Sequence, residues 1–200
     1  MQKRSEATRS HIIQAAVSLF ARYGYNPTGV AEICSAAGVS KGAFYHHFSS
    51  KQSVFLAIFS EWMDRLDCEI QNSRQVAASI PEAIEKMLGL LEMVFQLAGG
   101  YLPMFLEFWS QASHDPLVWQ VVIEPYQRYR SYFSSLIQEG ISEGTIKPVD
   151  PQVAASTLVS LALGLLLQGL IDPKGMDWAD VTRTSVKLFL DNLYNSLPQA

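Results

Sequence analysis

The chain has almost no cysteine: Cys34 and Cys68 are the only two in 200 residues, and no Cys or His stands at ligand spacing from either. A disulfide framework and a thiolate metal site are thereby excluded, and a reducing compartment is the natural setting. No run alternates apolar and polar residues at period two, so nothing in the pattern calls for a sheet. A phosphate-binding glycine loop, a nucleophile motif, a repeat and a low-complexity tract are missing as well. The N-terminus, Met1-Gln2-Lys3-Arg4, is not followed by the apolar stretch and small-residue cleavage site of a secretion signal, which places the protein in the cytoplasm. Charge is scarce, at 17% of residues against 48% hydrophobic, a balance that builds a substantial core and excludes a disordered chain.

The net charge of −4 argues at first against a nucleic-acid partner, but its distribution reverses that. Residues 1–51 carry six basic side chains (Lys3, Arg4, Arg9, Arg22, Lys41, Lys51) against Glu6 and Glu32, while the remainder carries nine basic and 17 acidic residues. A basic head on an acidic body suits a protein that reads DNA with one end. One segment demands a membrane check, since Val153 to Ile171 runs 19 residues without a charge. It holds Ser156, Thr157, Ser160 and Gln168 and lacks flanking aromatic anchors, so a helix buried on all sides is expected and no membrane partner.

Helical spacing of Ile12, Ile13, Ala16, Val17 and Phe20 predicts a helix over about 5–23, ended by Gly24. Thr28 is placed to cap a short second helix with Val30, Ile33 and Ala37 inside, and Gly38 stops it. Ser40 then caps a third, Lys41 to His47, whose inner face is Phe44 and Phe48. A long helix follows from Lys51 to about Arg74, and prolines open later ones at Pro81, Pro103, Pro116 and Pro151. The helix from Pro81 is expected to end at Gly99-Gly100. The architecture is all-α, with a three-helix head at 1–50 and a helical body at 51–200.

Two short helices joined by Ala37-Gly38-Val39-Ser40 behind a longer sheltering helix have the dimensions of a helix-turn-helix. A major groove admits one helix, and the outward N-terminal face of the third helix here is Lys41, Gly42, Ala43, Tyr45 and His46. The whole stretch from Thr28 to Lys51, with Ala15 to Gly24 before it, closely resembles the DNA-binding domain of the tetracycline-repressor (TetR) type regulators. The resemblance implies that Lys41, Gly42 and Ala43 face bases and that Tyr45 and His46 touch phosphates or a thymine methyl. It implies that Lys51 holds a phosphate, and that Thr28, Ser40 and His47 contact the DNA backbone or cap a helix. Gly29 departs from the pattern, since many members carry a hydroxyl there, and Cys34 stands where Ala is usual. His46-His47 is no metal site, because adjacent residues diverge on a helix and no third ligand follows.

A lone helix-turn-helix makes few base contacts, so a twofold dimer reading two half-sites is expected. The last two helices are its candidate interface, because 153–171 is too apolar for a solvated face and Ser160 and Gly164 permit close approach. Resemblance to the family implies the same four-helix pairing, and an effector pocket among the middle helices. Residues 93–133 are rich in Met and aromatics, and Phe59, Trp62, Met104, Phe105, Phe108, Trp109 and Tyr126 are the candidate lining, with Glu107 or Gln168 supplying polarity. A small hydrophobic effector is implied, a cation being compatible with Glu107, and no cofactor. The expected function is a ligand-responsive regulator, a repressor in the commoner mode of the family, with activation as the alternative. Two rivals stand beside it: an enzyme built on Glu107 and His114-Asp115, and a protein-interaction module that has lost DNA binding.

Overall fold

The computed structural model describes residues 2–195, and within the helices it does not describe the side chains of 2–4, 88, 91–103 and 105. Its helices are α1 (Gln2–Tyr23), α2 (Val30–Ala37), α3 (Lys41–His47), α4 (Lys51–Gln75), α5 (Ile80–Ala112), α6 (Pro116–Ser142), α7 (Pro151–Ile171) and α8 (Trp178–Leu193). Among the described residues there is no strand, only an isolated antiparallel bridge between Ile146 and Tyr194.

Helices α6 and α7 start where a carboxylate and a proline meet. Asp115 Oδ1 accepts from the backbone N–H of Leu117 at 2.8 Å just before Pro116. Asp150 Oδ1 does the same for Gln152 at 2.8 Å and Val153 at 3.2 Å around Pro151. Proline has no N–H to orphan in the first turn, and the carboxylate satisfies those that remain. α5 differs from expectation, for it runs unbroken through Gly99-Gly100 and Pro103. Buried Ile84 and Met87 before that stretch and Met104 and Phe108 after it keep the apolar rhythm, and burial of this kind outweighs local propensity.

The chain divides into two compact units. The first comprises 1–65 and 98–122, the second 66–97 and 123–200. In the first, Ile12, Ala16 and Phe20 of α1, Ile33 of α2, Phe44 of α3, Val54, Phe55 and Ile58 of α4 and Phe108 of α5 form one buried cluster. In the second, Ile80, Ala83 and Ile84 of α5, Leu136 and Ile137 of α6, Ala155 and Leu158 of α7 and Val186 and Leu190 of α8 form another. Ion pairs from Arg128 to Asp67 (2.5 Å) and from Arg74 to Glu139 (2.7 Å) join α6 and the distal part of α4 there.

α7 is not covered on all sides as its composition predicted. It packs on α8 and buries Ala154, Ala155, Leu158, Leu165, Leu166 and Gly169, whereas Val153 is 63% and Ile171 74% exposed. By length and composition α7 could cross a membrane, but its opposite sides differ, one packed and one open. Leu188 of α8 is likewise 61% exposed.

Candidate nucleic-acid interface

α3 is the shortest helix of the head and the one most fully determined by its own residues. Ser40 Oγ accepts from the backbone N–H of Ala43 at 3.1 Å, so one of the free donors of the first turn is satisfied. Phe44 is wholly buried and Phe48 nearly so, their rings 6.0 Å apart, and they pin one face of α3 into the cluster shared with α1, α2 and α4. Geometry then leaves the other face outside: Lys41, Gly42, Tyr45 and His46 are exposed, and Ala43 and His47 half-buried. The His46 and His47 rings meet edge to face at 5.1 Å, and among the described residues no three metal-ligating groups come together.

The turn between α2 and α3 depends on one glycine. Gly38 has φ +66°, a left-handed conformation that side chains other than glycine's resist, and its N–H reaches Ser35 O at 3.3 Å while Val39 N–H reaches Cys34 O at 3.0 Å. At the other end of α2 the cap is Gly29 and not Thr28. Glu32 Oε2 accepts from the Gly29 N–H at 3.1 Å, and a Cβ on Gly29 would lie 2.5 Å from that oxygen. The carboxylate of Glu32 thus supplies the returning half of a capping box, while Gly29 has no side chain to supply the other. Thr28 is buried, and its hydroxyl donates to Gly24 O at 2.8 Å.

Lys51, expected at a phosphate, donates from Nζ to the carbonyls of Tyr25, Thr28 and Asn26 at 2.8, 2.9 and 3.3 Å. Arg9 also turns to its own protein, pairing with Glu61 at 2.6 Å and lying over the Phe48 ring. Two participants leave no signal in the sequence. Tyr25 stacks its ring on Phe20 and Phe55 at 5.3 and 4.5 Å, and burial, helped by the Glu107 carboxylate, pushes its phenol pKa up. Gln52 donates to Asp115 Oδ2 at 2.6 Å, which holds that carboxyl below its ordinary range. In the sequence Asp115 stands beside the helix start at Pro116 and in the catalytic alternative with Glu107 and His114, and a partner 63 residues away leaves no mark in a local pattern.

The candidate effector residues fall into both units. In the first, Phe59, Met104 and Phe108 are buried, and Phe108 touches the Phe59 and Trp62 rings at centroid distances of 4.7 and 5.9 Å. Trp109, half-buried, meets Trp119 at 6.4 Å, and Glu107 accepts from Gln111 at 2.8 Å. In the second, Tyr126 is half-buried with the Arg130 guanidinium 5.7 Å from its ring, and Gln168 is exposed on α7. The Phe105 side chain lies outside the described residues. Two surface depressions, one between α1 and α2 lined by His11, Ser18, Arg22 and Ala37, the other on α7 around Ser156 and Ser160, contain none of these residues.

Residues 12–58 match the profile of the bacterial regulatory proteins of the tetR family, and residues 85–194, more than half the chain, match that of the C-terminal domain of BetI-type transcriptional repressors. The chain belongs to the TetR family. This TetR-family regulator is 28% identical to the HTH-type transcriptional regulator YhgD of Bacillus subtilis over 78% of its own length and 80% of YhgD. Its fold is shared with the fatty acid degradation regulator FadR of Bacillus halodurans (TM-score 0.81, 21% identity, covering 94% and 97% of the two chains). It is shared equally with a transcriptional regulator of Saccharomonospora viridis solved in complex with choline (TM-score 0.80, 22% identity, covering 94% and 98%). The TetR-family regulator is a transcription factor with an N-terminal helix-turn-helix and a helical C-terminal domain, not an enzyme. Asp115, which raised the catalytic alternative, is the cap of α6 and the acceptor for Gln52.

Proposed function

We propose that this regulator is a repressor that grips a palindromic operator as a homodimer and is released by a small hydrophobic effector. The observation that carries it is the two-sidedness of α3: Phe44 and Phe48 hold the inner face, and Lys41, Gly42, Tyr45 and His46 stand in solvent on a single helix, the element a major groove admits. Lys41, Gly42 and Ala43 meet base edges, and Tyr45 and His46 meet phosphates or a thymine methyl. Ser40 and His47 flank that face, and Thr28, whose hydroxyl is already held by Gly24, serves the turn behind it. The open side of α7, where Val153, Leu167 and Ile171 stand exposed among uncharged polar residues, and Leu188 of α8 supply the dimer interface. Two recognition helices so paired read half-sites about 34–36 Å apart, one helical turn of DNA.

Repression is supported by the match to the BetI-type repressor domain. Effector release needs a coupling of only ~1–3 kcal/mol, about 5- to 150-fold in operator affinity. The candidate effector contacts are Trp62, Phe105 and Trp109 with Glu107 as the polar partner in the first unit, and Tyr126 with Gln168 in the second; Phe59, Met104 and Phe108, all buried, are read as core around the first set. Glu107 favours a variant of this reading in which the effector carries a cationic head, as choline does in the Saccharomonospora viridis regulator. A DNA-binding regulator of this kind works in the cytoplasm.

Selection of bound sequences from random duplex DNA by the pure protein tests the proposal. A palindromic motif is expected, with affinity falling steeply as salt rises because phosphate contacts release counterions. Repeating the binding with choline and with a medium-chain fatty acid separates the two effector chemistries. Binding that is salt-insensitive and without sequence preference would leave only the protein-interaction alternative. On the selected duplex, Lys41→Ala is expected to cost about 1–3 kcal/mol per half-site and to relax one base position in each, as loss of a bidentate guanine contact does. An unchanged motif and affinity would remove Lys41 from the reading face.

A further inference from the structure

The Lys51 ammonium sits in a cup of three backbone carbonyls, those of Tyr25, Asn26 and Thr28, at 2.8, 3.3 and 2.9 Å. An ammonium has three N–H donors, so the cup accounts for all of them. The carbonyls lie just past the C-terminus of α1, where Gly24 at φ +85° ends the helix and the backbone dipoles favour a cation. The same nitrogen lies 4.2 Å from the centroid of the Tyr25 ring, and that ring stacks on Phe55, one turn along α4 from Lys51. The first turn of α4 thus grips the α1–α2 turn at two points, one ionic and one aromatic.

The α2–α3 pair is connected to α4 by the chain at Ser49-Ser50 after α3. Its other end, the Gly29 cap of α2, begins one residue beyond the carbonyls that hold Lys51. Without the ammonium the entry end of the reading motif keeps only the Tyr25–Phe55 ring contact and the shared apolar core, neither of which is directional, to hold it on α4. A DNA phosphate bound by Lys51 would have to displace one of three carbonyls, and burial with three partners already organises the side chain for the protein's own use.

We propose that Lys51 is a positioning residue for operator reading, which staples the α1–α2 turn to α4 and so fixes the attitude of α3, in place of the phosphate contact its motif position implies. The inference rests on the operator-binding function proposed above. Its test uses the duplex that the wild-type protein selects from random DNA and a scrambled duplex of equal length. Lys51→Met keeps the stem and removes the donors; Lys51→Arg keeps the charge, but a planar fork cannot aim three N–H groups into one cup. Both variants are expected to bind the selected duplex about tenfold or more weakly, the scale of lost hydrogen bonds to a charged group. The scrambled duplex should be little affected, and the dependence of log affinity on log salt should keep its wild-type slope.

A phosphate ligand behaves otherwise. Lys51→Met would then flatten the slope by about 0.9 for each protomer, about 1.8 for the dimer, and weaken both duplexes alike, while Lys51→Arg would bind as wild type, and that pattern would overturn the proposal. A residue needed only for stability would lower the thermal midpoint and, measured well below it, leave the ratio of selected to scrambled affinity unmoved, which overturns the proposal equally. Should Lys51→Met fail to fold, Lys51→Arg alone decides through the same ratio. A wild-type protein that does not distinguish the two duplexes would refute operator reading itself, and that result precedes any variant.

Discussion

Phe44→Ala is expected to abolish operator binding without removing a single DNA contact, by unfolding the head. The ring is fully buried, and it lies against Phe48 at 6.0 Å within the cluster that α1, α2, α3 and α4 share. Truncating a buried phenylalanine costs about 3–5 kcal/mol, the transfer term plus the cavity that the neighbours do not close. A helix of seven residues has too few internal hydrogen bonds to persist alone, so α3 depends on that anchor for its existence. Against a total stability on the order of 5–15 kcal/mol, the loss is large enough for the first unit to melt separately. Thermal unfolding followed by circular dichroism should show an early transition, and binding of the selected duplex should disappear at temperatures where Lys41→Ala still folds. Retention of wild-type midpoint and affinity by Phe44→Ala would mean that α3 is held by something other than its aromatic face, and the two-sidedness on which the function rests would fail.

Features fixed within a few residues are legible in the sequence alone. Ser40 and Phe44 announce α3 because a cap and an inner face are local signals, and Gly38 announces the turn because no other residue adopts its conformation cheaply. Where a reciprocal partner decides, local signals mislead: Thr28 has the residue type of a cap for α2, yet Glu32 holds the Gly29 N–H and makes Gly29 the cap. α5 departs from its punctuation for a related reason, since Gly99-Gly100 and Pro103 end a helix only when burial on both sides does not override them. Long-range partners leave no local trace at all. The motif gives the position of Lys51, but the carbonyls it grips are 23 to 26 residues away, and the Gln52–Asp115 contact spans 63. Composition fares worst with the body of the molecule, because a wall of an effector pocket and a residue of the core are both aromatic. Phe59, Met104 and Phe108 satisfy the description of lining, and the structure buries all three against neighbouring side chains.

That ambiguity can be decided at Phe108. Its ring is fully buried and meets Phe55, Phe59 and Trp62 at centroid distances of 4.2, 4.7 and 5.9 Å. Aromatic pairs at such distances add to what area burial alone supplies, so Phe108→Ala is expected to cost about 3–5 kcal/mol. For a chain of this size the thermal midpoint should fall by on the order of 10 °C or more. Phe108→Leu keeps most of the volume and should recover the larger part of that loss. A pocket wall behaves differently, because a ring already facing an open space leaves little new cavity when it is cut back, and the midpoint would hardly move while the response to the effector changed. Phe55 makes the outcome matter for DNA reading as well, since its ring touches both Phe108 and Tyr25, and Tyr25 carries one of the carbonyls that hold Lys51. A core role for Phe108 therefore also predicts weaker discrimination between selected and scrambled duplexes in Phe108→Ala, measured below its midpoint, whereas a pocket role predicts wild-type discrimination in the absence of effector.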